Sequence, residues 1–255
     1  MNSLYGFYSD NKGLDAFFFK TEDQSYSLRL GKNTNISELM HSAQGAFAET
    51  LYVYEPVVKW VTDNKLEPSF LVIGLGLGYL EILIVAYYLK YDPQKLTEPS
   101  FLIQSFESET KLIAYFKDYF LKQDIPFLFL DCYKNILEKI SHYYNLSFTQ
   151  LFNTVEALIL KEKIVFSNSF TVSTNLIKPV SGIFFDAFSS QSSPELWEIC
   201  LLQNIFKKEN VLPYCCFATY ASRGLLKKQL KVHSFKVKIR KGFMGKRECL
   251  FSIFN

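Results

Sequence analysis

Three glycines spaced two apart, Gly74, Gly76 and Gly78, interrupt the otherwise apolar run FLVIGLGLGYLEILIVAYYL from Phe70 to Leu89. Glycine adopts backbone angles that a Cβ disfavours, and it lets a ligand approach the main chain closely. A glycine turn between an apolar strand and a helix is the part of a βα unit that holds a nucleotide-like ligand, because the helix start offers unpaired N–H groups and a partial positive charge. Two acids are placed to work with it. Glu107, in SFES, follows the next apolar block and can accept hydrogen bonds from ribose hydroxyls. Asp186, in FFDAF, ends another such block, and is either a capping or turn residue or a group set over the ligand. The loop AFSSQSSP that follows, in place of an immediate helix start, favours the second reading.

The spacing narrows the ligand. A dinucleotide fingerprint is G-x-G-x-x-G; here the third glycine comes one residue early and Tyr79 takes its place. G-x-G-x-G is more usual in S-adenosylmethionine sites, which have no pyrophosphate to hold. The run is also long enough to cross a bilayer, for which about 20 residues suffice. Glu81 near its middle, the glycines, and flanks (Lys65, Glu67, Lys90, Asp92) with no one-sided positive bias argue against a span. His41, His142 and His233 are scattered, and the five cysteines (Cys132, Cys200, Cys215, Cys216, Cys249) show no C-x-x-C spacing, so neither a metal site nor a disulfide framework is expected. Cys215 and Cys216 read as core. Tyr79 and Tyr220 could line the pocket, but among 16 tyrosines they too read as core. Ser222 and Asp186 do not make a hydrolase, since there is no G-x-S-x-G elbow.

The elements that must position these residues follow from the apolar pattern. Strands are predicted at GLDAFFFK and YSLRLG, then a helix from about Ala43 to Trp60. From Phe70 onward strand and helix alternate: strands at 70–73, 101–106, 164–166, 183–185 and 215–220, helices at 80–89, 109–121, 194–206 and 223–232. Two closing strands, 236–240 and 248–253, end the chain. Alternation of this kind predicts a parallel α/β sheet with helices on both faces, here with a C-terminal antiparallel pair and an N-terminal β/α cover. The expected organisation is an N-terminal extension (1–60) packed on a single unit (61–255), with a helical insertion at 122–163. With 255 residues and 49% hydrophobic content the chain can bury a substantial core. The N-terminus lacks a signal-peptide pattern, and a reducing cytoplasm is expected. The net charge of +3 hides an asymmetry: Arg223 to Glu248 holds ten Lys or Arg and one acid, leaving 18 basic and 24 acidic residues elsewhere. Such clustering suits a polyanion partner, or a solvated basic helix and strand edge.

HSAQGAFAET (41–50), GLGLG (74–78), SFES, FFDAFSSQSSPELW (184–197), FATYASRGLLKKQL (217–230) and RKGFMGKRECL (240–250) occur in this order. Together they resemble the methyltransferase domain of the bifunctional tRNA 5-methylaminomethyl-2-thiouridine biosynthesis protein family, including its stand-alone forms, over about residues 30–255. The resemblance implies a class I, Rossmann-like fold that transfers a methyl group from S-adenosylmethionine to the aminomethyl group of a wobble uridine in tRNA. It implies that Gly74, Gly76 and Gly78 face the cofactor, Glu107 its ribose and Asn168 its adenine, with Asp186 beside the transferring methyl. Arg240, Lys241, Lys246 and Arg247 would lie toward tRNA. The chain lacks the family's oxidoreductase half, so a separate enzyme would prepare the amine; neither a membrane nor a metal is implied.

The sequence departs from the family pattern at Gln44, Val72, Leu77, Leu80, Asn168 and Ala187. Val72 and Leu77 replace polar groups by apolar ones. Two other readings stay open: a methyltransferase of the same fold acting on another amine, and, motivated by Val72, Leu77 and Asn168, a non-catalytic RNA- or partner-binding relative.

Overall fold

A computed structural model describes residues 3–10, 14–31, 39–187, 192–245 and 248–255. The chain opens with an antiparallel three-stranded sheet, β1 (Ser3–Ser9), β2 (Asp15–Lys20) and β3 (Tyr26–Leu30), followed by helix α1 (Ala46–Asp63). The main sheet then begins. Its strands are β4 (Ser69–Ile73), β5 (Leu102–Phe106), β6 (Ile164–Ser167), β7 (Val180–Phe185), β8 (Val211–Thr219), β9 (Phe235–Lys241) and β10 (Glu248–Phe254). Between them run α2 (Tyr79–Tyr91), α3 (Thr110–Phe120), α4 (Phe127–Tyr144), α5 (Phe148–Leu160), α6 (Ile199–Phe206) and α7 (Gly224–Val232).

The spatial order is β6-β5-β4-β7-β8-β10-β9. The first five strands are parallel, while β10 inserts antiparallel between β8 and β9. Chain direction reverses its path at β4, from which β5 and β6 run to one side and β7 and β8 to the other. That switch point opens a crevice at the carboxyl ends of the strands. Residues 127–160, inside the expected insertion, form α4 and α5, and the proposed boundary at residue 60 falls within α1.

Side chains of β4 alternate as the pleat demands: Phe70 and Val72 join the large cluster under α1 and α2, while Leu71 and Ile73 join the cluster under α6 and α7. Helix α2 is buried on every side at Tyr79 to Tyr88. It lies on the sheet with α1 alongside, and α4 and α5 cover its outer surface. This burial explains a run that reads like a membrane segment, for a helix apolar all round needs an apolar environment that here is protein. Among the described residues, no helix is long and apolar enough to cross a membrane.

The N-terminal sheet packs on α4. Tyr5 and Tyr26 both donate to Asp131 Oδ2 (2.8 and 2.6 Å), and Tyr79 at the start of α2 donates to the Tyr26 carbonyl (2.7 Å). Tyr79 is therefore a core tie between cover and sheet. Strand β1 was not expected from the sequence, because Gly6 breaks its apolar alternation. A Cβ at Gly6 would stand 2.8 Å from Leu128 of α4, so close packing accounts for the glycine.

Candidate active site

The three glycines have different duties. All have positive φ: +100° at Gly74, +52° at Gly76 and +76° at Gly78. A Cβ on Gly74 would lie 2.6 Å from the backbone oxygen of Asp186, and one on Gly78 would lie 2.1 Å from the Phe116 ring. Those two glycines let the protein pack against itself, Gly78 as the left-handed residue that starts α2. Only Gly76 combines left-handed geometry with open space, its nearest neighbour being Met40 Sδ at 3.4 Å from a Cβ. Gly74 and Gly76 line the cavity, whereas Gly78 is not among its lining residues.

The cavity, of about 260 Å³, sits at the carboxyl ends of β4, β5 and β7. Its exposed wall area is mostly apolar (Ile73, Phe106, Phe170, Ala187, Leu196, Leu201), with Glu107, Asp186, Glu195, Glu198, Tyr220 and His41 among its polar groups and hydroxyls of Ser and Thr at its border. An apolar cavity with a few convergent polar groups is the usual form of a small-molecule site.

Glu107 is buried where β5 ends. Its Oε2 accepts from the Gly76 N–H (2.9 Å) and its Oε1 from the Glu109 N–H (2.9 Å) and the Ser108 hydroxyl (3.3 Å). Burial raises its pKa, and the backbone donors offset part of that rise. The carboxylate thus ties the glycine loop to the neighbouring strand while presenting acceptor capacity to the cavity.

Asp186 follows β7. Its backbone N–H donates to the Ile73 carbonyl (2.9 Å), which extends the β4–β7 ladder to the glycine turn. Tyr54 of α1 donates to Asp186 Oδ1 (2.7 Å) and also lies 3.3 Å from the Phe185 carbonyl oxygen. Burial, then the facing Asp186 carboxylate, push the Tyr54 hydroxyl well above the ordinary tyrosine pKa. It therefore remains a donor at any physiological pH. Tyr220, beyond β8, donates to the Ala187 carbonyl (2.8 Å) and closes the wall next to Asp186.

Sequence reasoning missed Tyr54, Met40 and His41, and read Tyr220 as core. Met40 and His41 come from the segment before α1, where the His41 N–H donates to Ser27 Oγ (3.0 Å) and its ring meets Tyr79 edge-on. HSAQ at 41–44 was a usable signal for that segment. Asn168 is brought elsewhere. It is exposed in the bend after β6 and borders a second cavity beside the first, with Gln104, Thr174 and Asn175. The side chains of Val72 and Leu77 are fully buried in the core under α2 and line neither cavity. Their apolar character thus leaves the cavity's polar groups in place. Arg240 lies over the Tyr52 ring (4.8 Å) and donates to the Tyr52 carbonyl (3.0 Å), and Lys241 is exposed at the end of β9. Lys246 and Arg247 fall outside the described residues. Among the described residues no group of three His, Cys, Asp or Glu is arranged to hold a metal.

A sheet of this order, with a glycine turn after its switch-point strand and an acid after the next, defines a class I, Rossmann-like methyltransferase. Residues 127–255 match the family of S-adenosyl-L-methionine-dependent methyltransferases, and the chain belongs to it. A stretch of 75 residues is 35% identical to the tRNA 5-methylaminomethyl-2-thiouridine biosynthesis bifunctional protein MnmC of Acinetobacter baylyi. That stretch is 29% of this chain and only 12% of that protein. The crystal structure of MNMC2 from Aquifex aeolicus superposes with a TM-score of 0.61 at 20% identity, covering 93% of this chain and 70% of that one. Spermidine synthase from Thermotoga maritima superposes at 0.50 with 10% identity, covering 98% and 72%. The resemblance to an MnmC-like methyltransferase domain read from the motifs is thereby borne out, and the two solved structures share its fold.

The cofactor is S-adenosyl-L-methionine, and the cavity fits it. Gly76 leaves room at the loop that a Cβ would occupy. The Glu107 carboxylate can accept from a ribose diol, the Phe106 and Phe170 side chains suit a flat base, and the Asp186 carboxylate suits a cationic sulfonium.

Proposed function

We propose that this chain methylates the aminomethyl nitrogen of a modified wobble uridine in tRNA, with Asp186 as the residue that receives the amine. The observation that supports this reading most is the placement of Asp186 on the cavity wall beside the glycine turn, with Tyr54 donating to one carboxylate oxygen. The resemblance to MnmC supplies the substrate. The bound cofactor contributes an electrophilic methyl on sulfonium.

What remains for the protein is to position a neutral amine in line with that methyl, because an alkylammonium has no lone pair to attack with. Asp186 accepts a hydrogen bond from the amine N–H, which aims the nitrogen lone pair across the cavity. It also receives the proton released as the new N–C bond forms, directly or through water. Tyr54 fixes the carboxylate rotamer, so the amine docks against a preset acceptor. Tyr220 and Leu196 line the same cavity and would shield part of it from bulk water.

The test is methyl transfer to tRNA carrying an aminomethyl 2-thiouridine at the wobble position, with calorimetric titration of S-adenosylhomocysteine alongside. Asp186→Asn should lower turnover about 100-fold or more while leaving cofactor-product affinity within a few-fold, since positioned proton acceptors contribute about 10²–10⁴. Near-normal turnover in that variant would remove Asp186 from the chemistry. Methylation of small amines but not of tRNA would move the substrate to another class.

A further inference from the structure

One edge of the main sheet is strongly cationic. Strand β9, FKVKIRK, is the last strand of the sheet, and four of its seven residues are Lys or Arg. Charged residues, Lys above all, keep an exposed edge from pairing with another chain, and here they also form a patterned surface.

The register places these cations in an ordered row. Lys236, Lys238 and Arg240 pair with Ile253, Phe251 and Cys249 of β10, so they stand on the face that α1 covers. Trp60 of α1 packs edge-on against Phe251 (6.3 Å), and Tyr52 of α1 stacks under Arg240. Lys236 and Lys238 are exposed, and no carboxylate lies within ion-pair distance of either among the described residues. By contrast Lys227, on the α7 side, is neutralised by Glu248 (2.8 Å).

The row also has a direction. Strand β9 is antiparallel to β10, and β10 is antiparallel to β8, so β9 runs parallel to the strands whose carboxyl ends form the cavity. It therefore leads from Lys236 toward the cavity end of the sheet.

We infer that the Lys236–Lys238–Arg240 row on β9 is a track for an RNA backbone, which holds the stem of the substrate while one nucleotide enters the cavity. This deepens the tRNA reading and rests on it for the identity of the RNA. A strand that carries cations every second residue suits the line of phosphates on the outside of such a stem, while the Tyr52 and Trp60 rings hold the protein side of the row in place. The contacts read backbone charge and carry no sequence information.

The experiment compares wild type with Lys236→Glu/Lys238→Glu and with a control double variant, Lys134→Glu/Lys161→Glu, which makes the same charge change on the α4 and α5 side. Binding of unmodified tRNA is followed by fluorescence anisotropy across a salt series, and S-adenosylhomocysteine binding by calorimetry. The β9 variant should bind tRNA at least tenfold more weakly at low salt, and its log K against log salt slope should flatten by about 1.8, from two lost phosphate contacts at about 0.9 each. Cofactor-product binding should be unchanged, which shows that the variant is folded. Equal losses in both double variants would assign the effect to net charge and overturn the track, as would wild-type affinity in the β9 variant. Wild-type binding to phosphatidylserine vesicles, lost in the β9 variant while tRNA binding persists, would assign the row to a membrane surface and also overturn it. If tRNA binds through β9 but is never methylated, the track stands and the substrate assignment falls; if the β9 variant still binds and methylates tRNA normally, the reverse holds.

Discussion

Alanine at Gly76 and alanine at Gly78 should fail in opposite ways. Both glycines have left-handed φ, +52° and +76°, and a non-glycine residue there costs about 1–2 kcal/mol. At Gly78 the added Cβ would also lie 2.1 Å from the Phe116 ring, which is itself fully buried against Phe120, Tyr133 and Phe166. Phe116 cannot withdraw without displacing α4 and β6, so overpacking adds about 1–3 kcal/mol. The sum for Gly78→Ala is roughly 2–5 kcal/mol. At about 2–4 °C per kcal/mol for a chain of this size, the Tm should fall by about 4–20 °C. Gly76→Ala meets nothing closer than Met40 Sδ at 3.4 Å, so only the backbone cost applies and the Tm should fall by about 2–8 °C. Its new methyl group, however, borders the cavity, and S-adenosylhomocysteine affinity should drop tenfold or more. Differential scanning fluorimetry with calorimetric titration reads both effects. Unchanged ligand affinity in Gly76→Ala would refute the assignment of that glycine to the cofactor, and a Gly78→Ala protein as stable as wild type would refute the packing argument.

Other outcomes follow from single groups. Glu81, in the first turn of α2, is fully buried; the Ser105 hydroxyl donates to its Oε1 (2.6 Å), Oε2 has no partner, and burial raises its pKa from 4.5 to about 8. Because the folded value is the higher one, its contribution to stability is complete below about pH 4.5 and is lost as pH rises to about 8, at about 1.4 kcal/mol for each pH step of one between those values. Glu81→Gln should therefore be more stable than wild type at pH 9 by a few kcal/mol in urea unfolding, with the gap closing near pH 5; a constant gap across that window would exclude Glu81 as its source. Tyr54→Phe removes one hydroxyl that donates to Asp186 Oδ1 and so loosens the carboxylate rotamer; turnover should fall about tenfold while S-adenosylhomocysteine affinity stays within a few-fold. Unchanged turnover would reduce Tyr54 to a packing residue. Glu107→Gln keeps the side-chain length but can accept from only one of the Gly76 and Glu109 N–H groups, so S-adenosylhomocysteine binding should weaken at least tenfold in calorimetry, and unaltered binding would refute its role at the ribose.

What the sequence by itself determined was local in origin. Apolar blocks, glycine spacing and the acids at strand ends are signals carried within a few residues, so the βα units, the glycine turn and the places of Glu107 and Asp186 at the strand ends around the cavity were legible. The closing antiparallel pair was legible too, because β9 and β10 are neighbours in sequence. Tertiary structure decided the remainder, since it depends on which distant segments the sheet order brings together. Tyr54 reaches Asp186 across 132 residues, and only the packing of α1 beneath β7 makes that contact. Of three glycines with the same spacing, the Asp186 carbonyl and the Phe116 ring crowd two and leave open space only at Gly76, on the cavity wall. Val72 and Leu77, which read as losses from the site, are core residues because the pleat and the turn direct them under α2. Asn168 shares a sheet with the other site residues, yet the bend after β6 puts it beside the neighbouring cavity. Residue type sets what a side chain can do, and the order and register of the strands decide which side chains meet.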